Sequence, residues 1–318
     1  MRPPLVVWQF TDGKPGHESQ TRGLIAALKR RSEVHAYRLP VSDCRCGITS
    51  LLRRRHPCQG DYPPPDLILA CGRTTHFAAL AARRACGGAL VSLMKPPLPS
   101  RLYDLCLIPE HDGVPASDNV LLTQGVLNPV VKQPESPARV GRGLILIGGP
   151  SAHHDWPGAS LIPRIVSIVE KDAARRWTLT TSRRTPAEFV EQLQTTLSPP
   201  SAAEESPLKI VPAEETPPGW VAEQLANSDA AVVTEDSVSM VYESLTAGVA
   251  VSLIAMPRRG RSRVTAGVEK LLSQRFVRPV EEFLTTGAFQ TAGHILAEAD
   301  RCADTLLSRC LQRAARAA

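Results

Sequence analysis

Aromatic residues are scarce: Phe, Trp and Tyr make up only 4% of the 318 residues. A core so short of rings rests on Leu, Val, Ile and Ala, which suits α/β layers and argues against an all-β sandwich. Lysine is scarce too, seven residues against thirty arginines. The net charge of +6 is therefore carried mostly by guanidinium forks, which grip phosphate and carboxylate bidentately. That balance favours phosphorylated substrates or an anionic membrane face over acidic partners. No apolar stretch approaches the ~20 residues of a membrane-spanning helix. The first apolar run, Leu5–Trp8, has a strand's length and leads into a polar loop, so no signal peptide is read and a cytoplasmic chain is expected. Among Cys44, Cys46 and Cys58 no pair has the two-residue gap of a zinc knuckle. The eight cysteines read as thiols in a reducing compartment. Adjacent His153 and His154 cannot readily face one ion from a helix, so no metal is expected.

What is present is strand–helix alternation, twice over. The length suits two domains. Apolar runs at 5–10, 34–39, 66–72, 89–94, 103–108 and 119–124 alternate with helical patterns at 18–31 and 74–85. Near-continuous apolar strands separated by helices imply a parallel sheet covered on both faces. A Pro-rich break at 128–143 reads as a linker, after which the pattern restarts at 144–147, 177–181, 208–211, 230–233 and 249–255. The expected division is 1–138, 139–290 and a C-terminal helical strap, 291–318. Ligands of such sheets bind beyond the carboxyl ends of the strands, so the loops there carry the functional reading.

In the first half, Asp12-Gly13-Lys14-Pro15-Gly16-His17-Glu18 crowds reactive side chains into one turn. Gly13 and Gly16 permit close approach to backbone, Lys14 adds a point charge, and Asp12, His17 and Glu18 are candidate bases. Arg73 follows Gly72 and would reach a substrate, while Thr74 or Thr75 can cap the next helix. In the second half, Gly148-Gly149-Pro150-Ser151 follows a strand and suits a diphosphate. Ser182-Arg183-Arg184-Thr185 offers paired guanidinium groups. Asp236, Ser237, Ser239 and Met240 fall at an expected helix start after the run Ala230–Val233, where dipole and free N–H groups hold anions. Glu243, about two turns on, can accept two sugar hydroxyls. The segment Ile48–His56, with Arg53, Arg54 and Arg55, could rest on an anionic bilayer or pack as a helix with a charged end.

The stretches Trp8–Gln20, Ala70–Thr75, Gly148–Ser151, Thr181–Pro186 and Thr234–Glu243 together resemble the mitochondrial-fission "elongated mitochondria" family. Its bacterial members are labelled predicted nucleoside-diphosphate-sugar epimerases. The layout is also similar to two-Rossmann-domain glycosyltransferases of the GT-B type. The resemblance implies two α/β Rossmann-like domains with parallel sheets facing across a cleft. It implies that Gly148–Ser151, Asp236, Ser237, Ser239 and Met240 line the diphosphate and sugar. Glu243 would hold the ribose hydroxyls. His17 would be the acceptor-side base, with Asp12 as the alternative and Gly13, Lys14, Gly16, Arg73 and Thr74 around the acceptor. Lys14 and Pro15 depart from the glycine-rich transferase loop.

The function expected is inverting, metal-independent transfer from a nucleotide sugar, such as a UDP-sugar, to a lipid-linked or lipopolysaccharide-type acceptor. No other cofactor and no nucleic acid is expected, and membrane contact would be peripheral. The alternatives are nucleotide-sugar epimerisation and a non-catalytic scaffold.

Overall fold

The computed structural model describes residues 3–44, 54–132, 137–197, 208–293 and 296–317. The chain forms two compact units, Met1–Pro129 with Ala297–Ala318, and Val130–Leu296. Expectations for Cys46 and for most of the basic segment Ile48–His56 fall outside the described residues.

In the first unit, β1 (Leu5–Thr11), β2 (Val34–Pro40), β3 (Leu67–Cys71), β4 (Ala89–Leu93), β5 (Leu105–Pro109) and β6 (Val120–Thr123) form one six-stranded sheet. The order is β2-β1-β3-β4-β5-β6 and every pairing is parallel. Side chains alternate between two buried faces, as a period of two requires. Val7, Leu67, Leu69 and Cys71 pack on one side with Leu24 and Leu28 of α1 (Pro15–Lys29). Trp8, Ile68 and Ala70 pack on the other with Ala78, Ala79 and Ala82 of α2 (Thr75–Cys86). Burying both faces explains why central β3, Leu67–Cys71, has no polar alternate residue.

The second unit repeats the plan. Its strands are β7 (Arg142–Leu146), β8 (Arg176–Thr180), β9 (Leu208–Val211), β10 (Ala230–Thr234), β11 (Ala250–Ile254) and β12 (Arg278–Pro279). They form a second parallel sheet ordered β12-β11-β10-β7-β8-β9. The helices are α3 (Leu161–Lys171), α4 (Ala187–Leu197), α5 (Trp220–Ala226), α6 (Val238–Ala247), α7 (Arg263–Ser273) and α8 (Val280–Thr286). Ile145, Trp177, Leu179, Val232 and Ile254 meet Ile165 of α3, Leu193 of α4 and Phe283 of α8 in one core.

Three local expectations are corrected, and the C-terminal helix is assigned to a unit. The first helix starts at Pro15, not Glu18, because proline at the first helical position sets φ and lacks only an N–H that has no intrahelical partner. The helix after β10 starts at Val238, not Asp236, since the Ser237 N–H closes a turn on the Thr234 carbonyl at 3.1 Å. Thr74 makes no side-chain cap to α2, and the Thr75 hydroxyl donates back to the Gly72 carbonyl at 2.8 Å. Finally, α9 (Glu298–Ala317) belongs to the first unit's core: Ala299, Cys302, Ala303 and Leu306 are buried with Leu24, Ile25 and Leu28. Arg30 pairs with Asp300 at 2.8 Å, and Arg31 binds both Asp300 and Asp304. Among the described residues no helix is long and apolar enough to cross a membrane.

Candidate functional site

Each sheet has one point where its strand order reverses, between β1 and β3 in the first and between β7 and β10 in the second. At such a point the following loops diverge and leave a crevice at the strand carboxyl ends. The loops singled out in the sequence, after Thr11, Cys71, Leu146 and Thr234, leave the sheets at these two points.

In the first unit the loop after β1 brings Asp12 and His17 together. Asp12 Oδ2 lies 2.9 Å from His17 Nδ1, with side-chain exposures of 5% and 24%. An ionised carboxylate can only accept, so Nδ1 carries the proton and Nε2 of the neutral ring keeps its lone pair. Asp12 Oδ1 also accepts the Lys14 N–H at 3.2 Å, which fixes the carboxylate. The turn after β3 closes over this pair. Gly72 has φ +94°, and a Cβ there would lie 2.5 Å from Asp12 Oδ2 and closer still to His17 Nδ1. Only glycine fits both the backbone and the space. Beneath, the Tyr103 hydroxyl and His76 Nδ1 are 2.8 Å apart. Burial, with His17 adding repulsion, lowers His76 to about 4. Burial, with the Asp12 charge adding, pushes the Cys71 thiol up to about 12, so it is no nucleophile. Glu18 is ion-paired to Arg38 at 2.6 Å. Gly13, Lys14, Gly16, Arg73 and Thr74 are all exposed around the dyad.

In the second unit the loops after β7, β8 and β10 interlock. The Gly148 N–H donates to Thr234 Oγ1 at 2.7 Å, and the Gly149 N–H donates to Asp236 Oδ2 at 2.8 Å. Arg184 Nη2 donates to the same oxygen at 3.0 Å, while its Nη1 donates to the carbonyls of Gly149 and Pro150 at 2.8 and 3.0 Å. The Thr185 hydroxyl donates to the Gly148 carbonyl and accepts the Ser182 N–H at 2.9 Å. The two glycines are thus required by packing. A Cβ on Gly148 would lie 2.5 Å or less from both carboxylate oxygens of Asp236, and one on Gly149 would lie 2.5 Å from the Arg184 backbone. A diphosphate could use their amides only by displacing Thr234 and Asp236. The open donors lie one step further on. Ser237 makes no side-chain cap, so the first-turn N–H groups of Val238, Ser239 and Met240 have no acceptor within α6. Ser239 is exposed, Met240 is partly exposed and Glu243 is half-buried two turns in. Asp236 Oδ1 is buried with no hydrogen-bond partner. Arg183 is exposed, and Ser151 Oγ accepts the N–H groups of His153 and His154 at 3.2 and 3.0 Å.

Sequence reasoning missed a second layer here. Glu235, 3% exposed, accepts from the Met256 N–H at 3.3 Å and from Arg258 Nε at 2.7 Å. His154, 1% exposed, lies 3.8 Å from the same carboxylate, and neither ring nitrogen has a hydrogen-bond partner. The available signal was an acid directly after a fully buried strand, which needs a cation from elsewhere. Among the described residues no group of three His, Cys, Asp or Glu gathers to hold a metal ion.

Two Rossmann-like α/β units with parallel six-stranded sheets are the fold of GT-B-type enzymes, and solved structures bear this out. UDP-GlcNAc 2-epimerase from Neisseria meningitidis, bound to UDP-GlcNAc, matches with a TM-score of 0.53 at 13% identity, over 96% of this chain and 100% of its own. The S. aureus MnaA–UDP structure matches at 0.52 and 12%, over 96% and 89%. MurG of Acinetobacter baumannii matches at 0.51 and 14%, over 96% and 100%. At these identities the likeness is one of fold. No curated protein matches the sequence. Residues 15–310 match the family described as Mitochondrial fission ELM1, and the chain belongs to that family.

Proposed function

We propose that this protein uses a nucleoside-diphosphate sugar as a glycosyl donor. The observation that carries the reading is the uncapped first turn of α6 at the β7/β10 reversal, beside Asp236 and the Arg184 that binds it. Unpaired N–H groups and the helix dipole favour a diphosphate there, and Glu243 is the acceptor for ribose hydroxyls. Asp236, Ser237, Ser239 and Met240 surround that turn, with Gly148–Ser151 and Ser182–Thr185 behind it. The ligands in the printed names of two similar folds, UDP and UDP-GlcNAc, support a uridine nucleotide.

The Asp12–His17 pair supplies the base. His17 Nε2 takes the proton of an acceptor hydroxyl as its oxygen bonds to the anomeric carbon. The bond from that carbon to the diphosphate breaks, and the electron pair leaves with the nucleotide. Helix N–H groups and guanidinium groups neutralise the departing charge, so this route calls for no metal. Asp12 holds the imidazole in the accepting tautomer and stabilises it once protonated. A lipid-linked or cell-envelope acceptor is the reading we favour, reached from the cytoplasmic side of a membrane. The exposed guanidinium groups of Arg54 and Arg55 support such a surface contact. Epimerisation is the second reading, supported by the printed activity of the Neisseria match.

Labelled UDP-GlcNAc incubated with a membrane lipid extract tests this. A new labelled glycoside, lost by ~100-fold or more in His17→Ala, supports transfer. An altered free or nucleotide-linked sugar supports epimerisation. Unchanged UDP-GlcNAc after exposure to the extract contradicts both and leaves a scaffold.

A further inference from the structure

We propose a second anion site at the amino-terminal edge of the second sheet, one that takes a phosphate ester. A cavity of about 400 Å³ opens there. Arg142 lies at the opposite end of β7 from Gly148, about 20 Å away at ~3.3 Å per residue, and the site does not depend on the proposed donor site. Arg142, Arg176, Lys209, Thr178, Asn227 and Ser228 are among the residues lining it, and no Asp or Glu does.

Strand register explains the charge. Arg142 of β7 and Arg176 of β8 are direct parallel partners, and Thr178 is paired with Lys209 of β9. Paired residues, and residues two apart on one strand, share a sheet face. The three cations therefore stand on one face, the two arginines on strands ~4.8 Å apart. All three are exposed, and among the described residues none forms an ion pair. A fourth cation is already committed. Arg175 Nε pairs with Asp172 at 2.9 Å, Arg175 Nη1 pairs with Asp229, and its guanidinium lies 5.1 Å from the Phe289 ring centre. The nearby acids are thus spent on Arg175, which lines the cavity together with Gly143 and Trp177.

Like charges directly opposite on neighbouring strands destabilise a sheet. Such an arrangement, bordering a cavity with hydroxyl and amide groups, fits a bound anion. Two guanidinium forks and an ammonium match the oxygens of a phosphate ester. Thr178, Ser228 and Asn227 can meet the hydroxyls of the group that carries it. A phosphorylated small molecule and a lipid headgroup share this chemistry.

The test uses the full chain. Inorganic phosphate and glycerol 3-phosphate are titrated by thermal shift and calorimetry at low salt. Vesicles of phosphatidylcholine with 30% phosphatidylglycerol are tested by co-sedimentation. The variants are Arg142→Gln/Arg176→Gln and Lys209→Gln, with Arg184→Gln as a control at the other end of the strands. The expected result is saturable binding that weakens ~10- to 100-fold in the double arginine variant, weakens with added salt, and survives in Arg184→Gln. The ligand-free double variant should melt no lower than wild type, since a repulsion is relieved. Binding of the soluble esters alone assigns a free metabolite, and binding of vesicles alone assigns a lipid. Binding by neither, equal binding by the double variant, or loss only in Arg184→Gln overturns the proposal.

Discussion

Replacing Gly148 by alanine is the sharpest perturbation of the second unit. The new Cβ would lie 2.5 Å from Asp236 Oδ1 and nearer to Oδ2, whereas ordinary contact begins at 3.4 Å. Oδ2, at 2.1 Å, must therefore withdraw by about 1.3 Å to reach that distance. It has little room, because the Asp236 side chain is fully buried, and withdrawal breaks its 2.8 Å bond from the Gly149 N–H. Overpacking costs about 1–3 kcal/mol, and losing a charged hydrogen bond in the interior costs about 1.5–3 kcal/mol more. The bond from Arg184 is left out of the sum, since that side chain is 42% exposed and screened. A loss of about 3–5 kcal/mol results, near 10 °C in Tm for a unit of this size. Trp156, Trp177 and Trp220 lie in the second unit and only Trp8 in the first, so denaturant unfolding followed by tryptophan fluorescence reports it. In an Asp236→Ala background the same substitution should cost under about 1 kcal/mol, because the clashing group is gone. A Gly148→Ala cost below about 1 kcal/mol in the wild type, or an equal cost in both backgrounds, would refute the packing argument.

Two further outcomes follow from the first unit. Gly72→Ala should cost about 2–3 kcal/mol, from a left-handed φ and a Cβ driven into the Asp12–His17 pair; a cost under about 0.5 kcal/mol in urea unfolding speaks against it. His76 titrates near 4 in the fold against an ordinary 6.5, because burial opposes its charge. The stability it contributes is complete above pH 6.5 and is lost as pH falls towards 4, on the order of 3 kcal/mol in all. His76→Asn, which keeps a partner for the Tyr103 hydroxyl, should flatten the stability profile between those pH values; parallel profiles for variant and wild type contradict this.

Much of the fold is legible because both sheets are buried on both faces. Runs such as Leu67–Cys71 and Ala230–Thr234, each buried at all five positions, announce themselves as parallel strands. The two-residue β12 carries no such signal. At the candidate site, the loops singled out in the sequence leave the sheets at the two reversal points, but the atoms they bring together were not legible. Gly148 and Gly149 read as room for a diphosphate, whereas the space is filled by Asp236 and Arg184 from loops far along the chain. Asp12 and His17 stood out as alternative bases because both lie in one turn, while their pairing is seen only in the fold. Glu235, His154 and Arg258 were not, because three separate segments bring them together. Likewise Arg142, Arg176 and Lys209 become neighbours only through strand register.

The central claim is that the first turn of α6 holds a nucleoside diphosphate. Isothermal titration of UDP into the wild type and into Ser239→Glu tests it directly. A carboxylate in that turn suits the helix dipole and leaves the fold as stable or slightly more so, yet it repels a diphosphate. Saturable UDP binding in the wild type, weakened ~10-fold or more in Ser239→Glu, is the predicted result. No binding of UDP by the wild type, or equal affinity in the two proteins, would contradict the account.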